Sequence, residues 1–334
     1  MTRVGVLGAG SWGTTLAVHL GHVGHEVRLW ARDPELVNRM RRDRMNRAYL
    51  PEIPFPSTLV PCDSLEAALD RADVVVSAVP SHGTRAVIRA ARTSLADGAI
   101  VVSAAKGLET DTLRRMSEVM REELDPGRAI VVLSGPSFAA ETARQLPTAV
   151  CVAAENVDAA AFVQQEFRAR YLRLYVTDDV AGVELGGALK NVIAIAAGVN
   201  DALKLGHNAL AALITRGLAE TTRLACAVGG RPETLAGLSG LGDLVLTCTG
   251  ALSRNRQLGI ELGRGRPLID VLAGMRMVAE GVRTTDAALA LGARYGIELP
   301  IAAQMSDVLA GRKTPRTAVE DLMLRPQRAE PEPR

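Results

Sequence analysis

RVGVLGAGSWGTTLAVHLGHVG (residues 3–24) decides the fold. A short β-branched run, Arg3–Leu7, leads into Gly8-Ala9-Gly10-Ser11-Trp12-Gly13, and the apolar spacing of the next stretch, TTLAVHLGHVG, fits a helix ending at glycine. In a strand–turn–helix of this kind Gly8 allows the tight turn. Gly10 lets backbone approach a pyrophosphate, and Gly13 lets the helix pack close to the strand. The helix N-terminus adds unpaired N–H donors and positive potential. A G-x-G-x-x-G on its own is weak, but one placed directly after a strand and opening a helix predicts dinucleotide binding. Ser11 and Trp12 lie inside the loop, within reach of cofactor phosphate or ribose.

Outward from this unit, strand and helix signals alternate. Strands are expected at His25–Trp30, Asp73–Val79, Ala99–Ser103, Ala129–Leu133, Thr148–Val152 and Leu172–Val176. Helices are expected at Pro34–Arg44, Ser64–Leu69, Thr110–Glu123 and Asp158–Arg168. The pattern implies an α/β, Rossmann-like doubly wound sheet, mostly parallel and covered on both faces. From about Asp178 alanine, leucine and glycine dominate, so an all-helical C-terminal domain is expected. The predicted division is a dinucleotide-binding domain at 1–177, a helical substrate-binding and catalytic domain at 178–325, and a proline-rich, charged, disordered tail at 326–334.

The 334 residues carry 39 basic and 37 acidic side chains, a net charge of +2, which argues against nucleic acid or an acidic membrane as partner. Cys62, Cys151, Cys226 and Cys248 show no metal-ligand spacing, and thiols in a reducing cytoplasm are the simplest account. No signal peptide is expected, because the first apolar run breaks at glycines. His19, His22 and His25 lack acidic or cysteine companions and read as helix-terminal and loop residues, so no metal is expected.

The end of the second strand, VRLWARDPE, bears on the cofactor. An acidic residue there holds a ribose 2′-hydroxyl, whereas arginine accommodates a 2′-phosphate. Arg32 precedes Asp33, and further arginines stand at 39, 41, 42, 44 and 47, so NADP is favoured over NAD, with Arg32 the contact. Two later turns come after predicted strands, where open parallel sheets bind ligands. Lys106 and Gly107 stand in AIVVSAAKGLE, and Gly135-Pro136-Ser137 in AIVVLSGPSFAAE. There Lys106 reaches a substrate oxygen or phosphate, Ser137 donates a hydrogen bond, and Ala139 leaves room for the cofactor ring. Each is equally an ordinary loop residue.

GVELGGALKNVIAIAAGV (182–199) is long and apolar, interrupted by Glu184, Lys190 and Asn191. Lysine and asparagine near its middle and missing flanking anchors argue against a membrane span. A lysine there either has an anionic partner, snorkels to the surface, or is kept because its ammonium works, since desolvation draws its pKa toward the range useful for proton transfer. In GLSGLGDLVLTCTGALSRNRQLG, Asp243 comes directly after closely spaced glycines. Ser253-Arg254-Asn255 offers a hydroxyl, a guanidinium fork and an amide, either as a phosphate site or as a helix cap with surface residues behind it.

Together the chain closely resembles the bacterial NAD(P)-dependent glycerol-3-phosphate dehydrogenases. The resemblance is carried by GAGSWGTTLA at 8–17, NRAYLP at 46–51, SAAKGLE at 103–109, LSGPSFAAE at 133–141 and ELGGALKNVIAIAAG at 184–198, continuing through AALITRGLAE at 211–220, GLSGLGDLVLTCTGALSRNR at 237–256 and AEGVRTT at 279–285. It implies a helical domain of the 6-phosphogluconate dehydrogenase type. It also implies interconversion of sn-glycerol 3-phosphate and dihydroxyacetone phosphate, a supply role in glycerophospholipid synthesis and a homodimer, while the free thiols and the lack of a signal peptide or membrane span lead to the expectation of a cytoplasmic location. It places cofactor contacts at Ser11, Trp12, Arg32, Tyr49, Lys106, Ala139, Arg254, Val278 and Glu280. Substrate contacts fall at Lys106, Gly135, Ser137, Lys190, Asp243, Ser253, Arg254 and Asn255, with Lys190 the proton donor and acceptor. Asp243 either orients Lys190 or binds a substrate hydroxyl. Ala202 and Leu210 depart from the family pattern and bear on helix packing or substrate affinity. Two other readings are a dehydrogenase of the same architecture acting on a 3-hydroxy acid, which calls for carboxylate chemistry, and a non-catalytic dinucleotide sensor, which has no use for a buried lysine.

Overall fold

The structure, a computed structural model, describes residues 1–275, 279–327 and 329. Eight strands form one sheet: β1 (Arg3–Leu7), β2 (Glu26–Trp30), β3 (Leu59–Cys62), β4 (Val74–Ser77), β5 (Ile100–Ser103), β6 (Ile130–Ser134), β7 (Thr148–Ala153) and β8 (Leu172–Thr177). Their order is β3-β2-β1-β4-β5-β6-β7-β8, parallel throughout except for the antiparallel β6–β7 pair. Leu7 at the end of β1 pairs with Trp30 on one side and Ser77 on the other. The chain reverses its direction of travel there, which opens a crevice at the C-terminal ends of β1 and β4.

Around the sheet lie α1 (Ser11–Val23), α2 (Pro34–Asp43), α3 (Leu65–Leu69), α4 (Ser81–Ala91), α5 (Met116–Glu123), α6 (Ala139–Ala143) and α7 (Val157–Phe167). Three of these elements differ from the sequence expectations. Strand β3 carries Pro61, which cannot donate to a ladder; it survives because β3 is an edge strand. Helix α4 was not among the expected helices. The helix expected from Thr110 begins only at Met116, because the preceding segment folds back on itself. Leu108 bridges Arg115, Leu113 sits at φ 62°, and Glu118 accepts the Arg115 N–H at 2.9 Å to start the helix.

Beyond β8, which ends at Thr177, the described chain is helical. Helices α8 (Val180–Ala202), α9 (Gly206–Ala227) and α10 (Pro232–Ala236) lead to a π-helical turn at Leu238–Gly242. Then come α11 (Asp243–Thr249), α12 (Arg254–Gly263), α13 (Leu268–Gly274), α14 (Glu280–Tyr295), α15 (Pro300–Leu309) and α16 (Pro315–Met323). Helix α8 is long and apolar enough to cross a membrane, yet 94% of its most apolar window is buried by the helices around it, so its hydrophobicity serves a protein core. It crosses α12 at backbone contact. A Cβ on Gly198 would lie 2.0 Å from the Arg256 carbonyl oxygen, and one on Gly259 1.9 Å from that of Ile195. This crossing brings the start of α12 close to the polar middle of α8. Of the two departures, Ala202 packs on Gly263 at the same crossing, and Leu210 is partly buried against the helical core. Arg328 and residues 330–334 of the expected tail lie outside the described residues.

Glu220 of α9, 5% exposed, accepts the N–H of Ile301 at 2.7 Å, at the start of α15. Burial raises its carboxyl from 4.5 to about 7, opposed by those backbone donors. Between these values the folded chain holds a proton that the unfolded chain has released. Stability therefore falls as pH rises from about 4.5, and the loss is complete above about 7. We expect the difference in unfolding free energy between wild type and Glu220→Gln to change by about 3 kcal/mol across that window in urea titrations. A difference that does not vary with pH would show that Glu220 does not titrate this way.

Candidate active site

The glycine turn closes as its spacing demands. Gly8 sits at φ 105°, where a Cβ would meet the Ala78 carbonyl oxygen at 2.9 Å, and a Cβ on Gly13 would meet that of Gly8 at 1.9 Å. Gly10 has nothing within 4 Å of its Cβ position, so the backbone there faces open space. Gly10 caps α1 without a side-chain acceptor, and no acidic residue stands in the first turn. The first N–H groups and the positive helix end are thus available to an anion. Trp12 Nε1 is buried with no hydrogen-bond partner among the described residues. These features fit a dinucleotide phosphate. Ser11 donates to the Tyr49 carbonyl at 2.8 Å, bringing Tyr49 beside the loop, and Thr15 donates to the Ala139 carbonyl at 3.0 Å. The fully buried Asn46 amide, which sequence reasoning missed, donates to Ala9 O and Thr14 Oγ1, both at 2.9 Å, and braces the turn. Its only signal was its place in NRAYLP.

Past β2, Asp33 caps α2 by accepting the Glu35 N–H at 2.9 Å and faces Arg39. Arg41, Arg42, Arg44 and Arg47 are likewise engaged, with Asp63, Asp43 and the carbonyls of Pro56, Leu59 and Pro61. Arg32 is exposed and has no hydrogen bond or ion pair among the described residues.

The second half of the site is a lysine pair on one carboxylate. Lys190 Nζ donates to Asp243 Oδ1 at 2.6 Å and to Thr247 Oγ1 at 2.8 Å; Lys106 Nζ donates to Asp243 Oδ2 at 2.6 Å and to the Gly135 carbonyl at 2.8 Å. Asp243 is 1% exposed, and its position comes from the π turn, which inserts an extra residue just before α11 and turns the carboxylate inward. Thr247, one turn further along α11, also escaped the sequence reading; the i, i+4 spacing from Asp243 was the available signal. Ser137 Oγ donates to the Gly135 carbonyl at 3.0 Å. Burial draws the Lys190 ammonium down to about 8, with Lys106 pushing the same way and Asp243 resisting. Two ammonium groups on one carboxylate leave a net positive centre beside the cleft, suited to an anionic ligand and a developing alkoxide.

Ser253 caps α12, accepting the Arg256 N–H at 3.2 Å, so the capping role open from sequence is realised. Arg254 is exposed at the first position of the helix. Asn255 donates to Asn191 Oδ1 at 2.9 Å and accepts the Gly281 N–H at 3.0 Å, tying α12 to both α8 and α14. Glu280 crosses to the sheet edge, accepting from Ser81 Oγ at 2.8 Å and Ser81 N at 3.3 Å. Val278 lies outside the described residues. His19 bonds the Tyr171 hydroxyl and the Phe167 carbonyl, each at 2.7 Å, and His25 bonds the Glu166 carbonyl at 2.8 Å. Among the described residues no group of His, Cys, Asp or Glu is arranged to hold a metal.

Residues 3–160 match the NAD-dependent glycerol-3-phosphate dehydrogenase N-terminus family and residues 179–320 its C-terminus family. A protein of Syntrophotalea carbinolica named glycerol-3-phosphate dehydrogenase (NAD(P)+) is 54% identical over 330 residues, 98% of this chain and 99% of its own. One of the same name from Koribacter versatilis is 53% identical over 275 residues, covering 81% of this chain and 82% of the relative. The crystal structure of glycerol-3-phosphate dehydrogenase from Coxiella burnetii superposes with a TM-score of 0.94 at 41% identity, covering 97% of this chain and 99% of that one. The glycine turn, the buried lysine cluster and these matches across both halves make the chain a member of the NAD(P)-dependent glycerol-3-phosphate dehydrogenase family.

Proposed function

We propose that this chain interconverts dihydroxyacetone phosphate and sn-glycerol 3-phosphate with a nicotinamide dinucleotide, and so supplies glycerol 3-phosphate for glycerophospholipid synthesis. The observation that carries the reading is the Lys190 ammonium, buried and held by Asp243 and Thr247. When bound, the nicotinamide supplies or takes the hydride at substrate C2. Lys190 Nζ gives a proton to the C2 oxygen during reduction and takes it back during oxidation. Its charge stabilises the alkoxide as it forms. Lys106, Gly135 and Ser137 line the side facing the substrate, and Asp243 orients both lysines. Ser253, Arg254 and Asn255 hold the phosphate at the start of α12, where the positive helix end adds to the Arg254 fork.

Gly8, Gly10 and Gly13 would hold the cofactor's phosphates, with Ser11, Trp12, Tyr49, Ala139, Arg254 and Glu280 contributing the remaining contacts. Arg32, the arginine of its run without a partner among the described residues, takes a 2′-phosphate and favours NADPH over NADH. Residues 1–177 form the cofactor domain and 178–325 the substrate domain, in a cytoplasmic homodimer. A non-catalytic dinucleotide sensor has no use for the lysine cluster, and a 3-hydroxy acid has no phosphate for Arg254.

Measuring NADPH and NADH oxidation by absorbance with dihydroxyacetone phosphate tests the reading. Turnover with NADPH exceeding that with NADH is expected; no turnover with either overturns it. Arg254→Ala is expected to raise KM for dihydroxyacetone phosphate by about 10²-fold with a smaller change in kcat, as loss of a bidentate phosphate contact requires. Unchanged KM would displace the phosphate site from α12.

A further inference from the structure

The segment carrying Lys106 is gripped from outside the cleft. Arg85 on α4 holds Glu109, three residues after Lys106, in a two-pronged pair: Nε to Oε1 at 2.8 Å and Nη2 to Oε2 at 2.7 Å. The same guanidinium reaches Glu123 at 2.6 Å and Glu122 at 2.7 Å on α5. One arginine therefore joins α4, the Lys106 turn and α5. Its side chain is 23% exposed and that of Glu109 15%, so solvent screens the pair less than it would a surface pair. One helical turn before Arg85, Ser81 presses on the same segment. A Cβ on Gly107 would lie 2.8 Å from Ser81 Oγ, the hydroxyl that Glu280 accepts from. Leu108, 2% exposed, anchors the turn in the helical core. At its far end, among the described residues, Lys106 has only Asp243 and the Gly135 carbonyl to hold a long, flexible side chain.

We propose that Arg85 and Glu109 are positioning residues for the reaction: by clamping the turn that carries Lys106 against α4, they set the Lys106 ammonium on Asp243. The inference rests on the reading of Lys106, Asp243 and Lys190 as the reacting cluster. Arg85 faces Glu109, Glu122 and Glu123, with Arg114 paired to Glu122 and Arg89 to Glu123. Lys190 faces Asp243, Lys106 and Cys248. Loosening the clamp lets Lys106 leave Asp243, which then serves Lys190 alone. With repulsion from Lys106 weakened, Lys190 holds its proton to higher pH.

A double-mutant cycle tests this in the full-length enzyme. Glu109→Gln is expected to lower kcat/KM for dihydroxyacetone phosphate about tenfold and to move the alkaline limb of the reduction profile to higher pH. Arg85→Lys, which keeps the charge and loses the fork, should act in the same direction, and it carries the test if Glu109→Gln does not fold. In a Lys106→Met background Glu109→Gln should change kcat/KM by less than about twofold, because its route to the site is gone. An equal effect in both backgrounds, or an unmoved alkaline limb, makes the clamp merely structural and overturns the proposal. If Lys106→Met itself leaves turnover intact, the underlying site reading fails. If Lys106→Met is impaired and Glu109→Gln is normal, only the clamp fails.

Discussion

Lys190→Met is expected to lower kcat for dihydroxyacetone phosphate reduction by about four orders of magnitude while leaving NADPH affinity within a few-fold of wild type. Two losses combine. General acid catalysis contributes roughly 10²–10⁴-fold. Stabilisation of the forming alkoxide by a charge in a dry site contributes on the order of 10²-fold more. Methionine nearly preserves the stem volume in the packed α8, and Asp243 keeps Lys106 as a partner at 2.6 Å, so no buried carboxylate is stranded. The fold and the glycine loop should therefore persist, and a fluorescence titration with NADPH checks that they do. In the wild type the same reasoning sets the pH dependence. Reduction needs the ammonium and should decline as pH rises through about 8, whereas oxidation needs the free amine and should rise over the same interval. Near-normal turnover in the variant would remove Lys190 from the chemistry.

Asp243→Asn should come next in size. Its two carboxylate oxygens each accept one ammonium, and the amide can offer an acceptor to only one. The attraction that holds Lys190 charged is lost, while burial and Lys106 still push its pKa down. At neutral pH Lys190 then loses its proton before substrate arrives. We expect kcat for reduction to fall about 10³-fold and the remaining activity to shift toward acid pH. Stability should also fall, by about 3 kcal/mol near pH 7, because the buried Lys190 must give up a proton that the unfolded chain keeps, and Lys106 loses its carboxylate partner. That deficit should shrink as pH rises through about 8, because wild-type Lys190 also gives up its proton there and the ion pair with Asp243 no longer distinguishes the two chains. Urea titrations at neutral and alkaline pH together with pH–rate profiles report both effects. A variant with an unshifted profile and wild-type stability would show that Asp243 does not hold the two lysines.

Elements with a local cause were legible. The glycine turn, the parallel strands and most helices around the sheet each arise from steric or periodic patterns within a few residues; the caps that Ser64 and Asn156 place on α3 and α7 are likewise local, though the sequence reading did not single them out. Strand β3 was hidden by Pro61, which is tolerable only at a sheet edge, and edge position belongs to the whole sheet. The late start of α5 was hidden because helical periodicity does not reveal that Leu108 pairs back with Arg115. Arg32 could be singled out by position, but that its neighbours are engaged elsewhere required the surrounding loops.

For the reacting cluster the division is sharper. Sequence alone determined that a lysine stands in the middle of an apolar helix, that a dinucleotide turn opens the chain, and that Asp243 and Arg254 are present among glycines and polar residues. Burial of an uncompensated ammonium is so unfavourable that some partner or purpose had to exist. Which partner, and which geometry, only the tertiary structure decided. Lys106 and Lys190 stand 137 and 53 residues from Asp243 along the chain, and the three meet because the sheet edge, α8 and the π turn converge. Side-chain hydrogen bonds act over about 3 Å, and no local pattern encodes which distant segments will come that close.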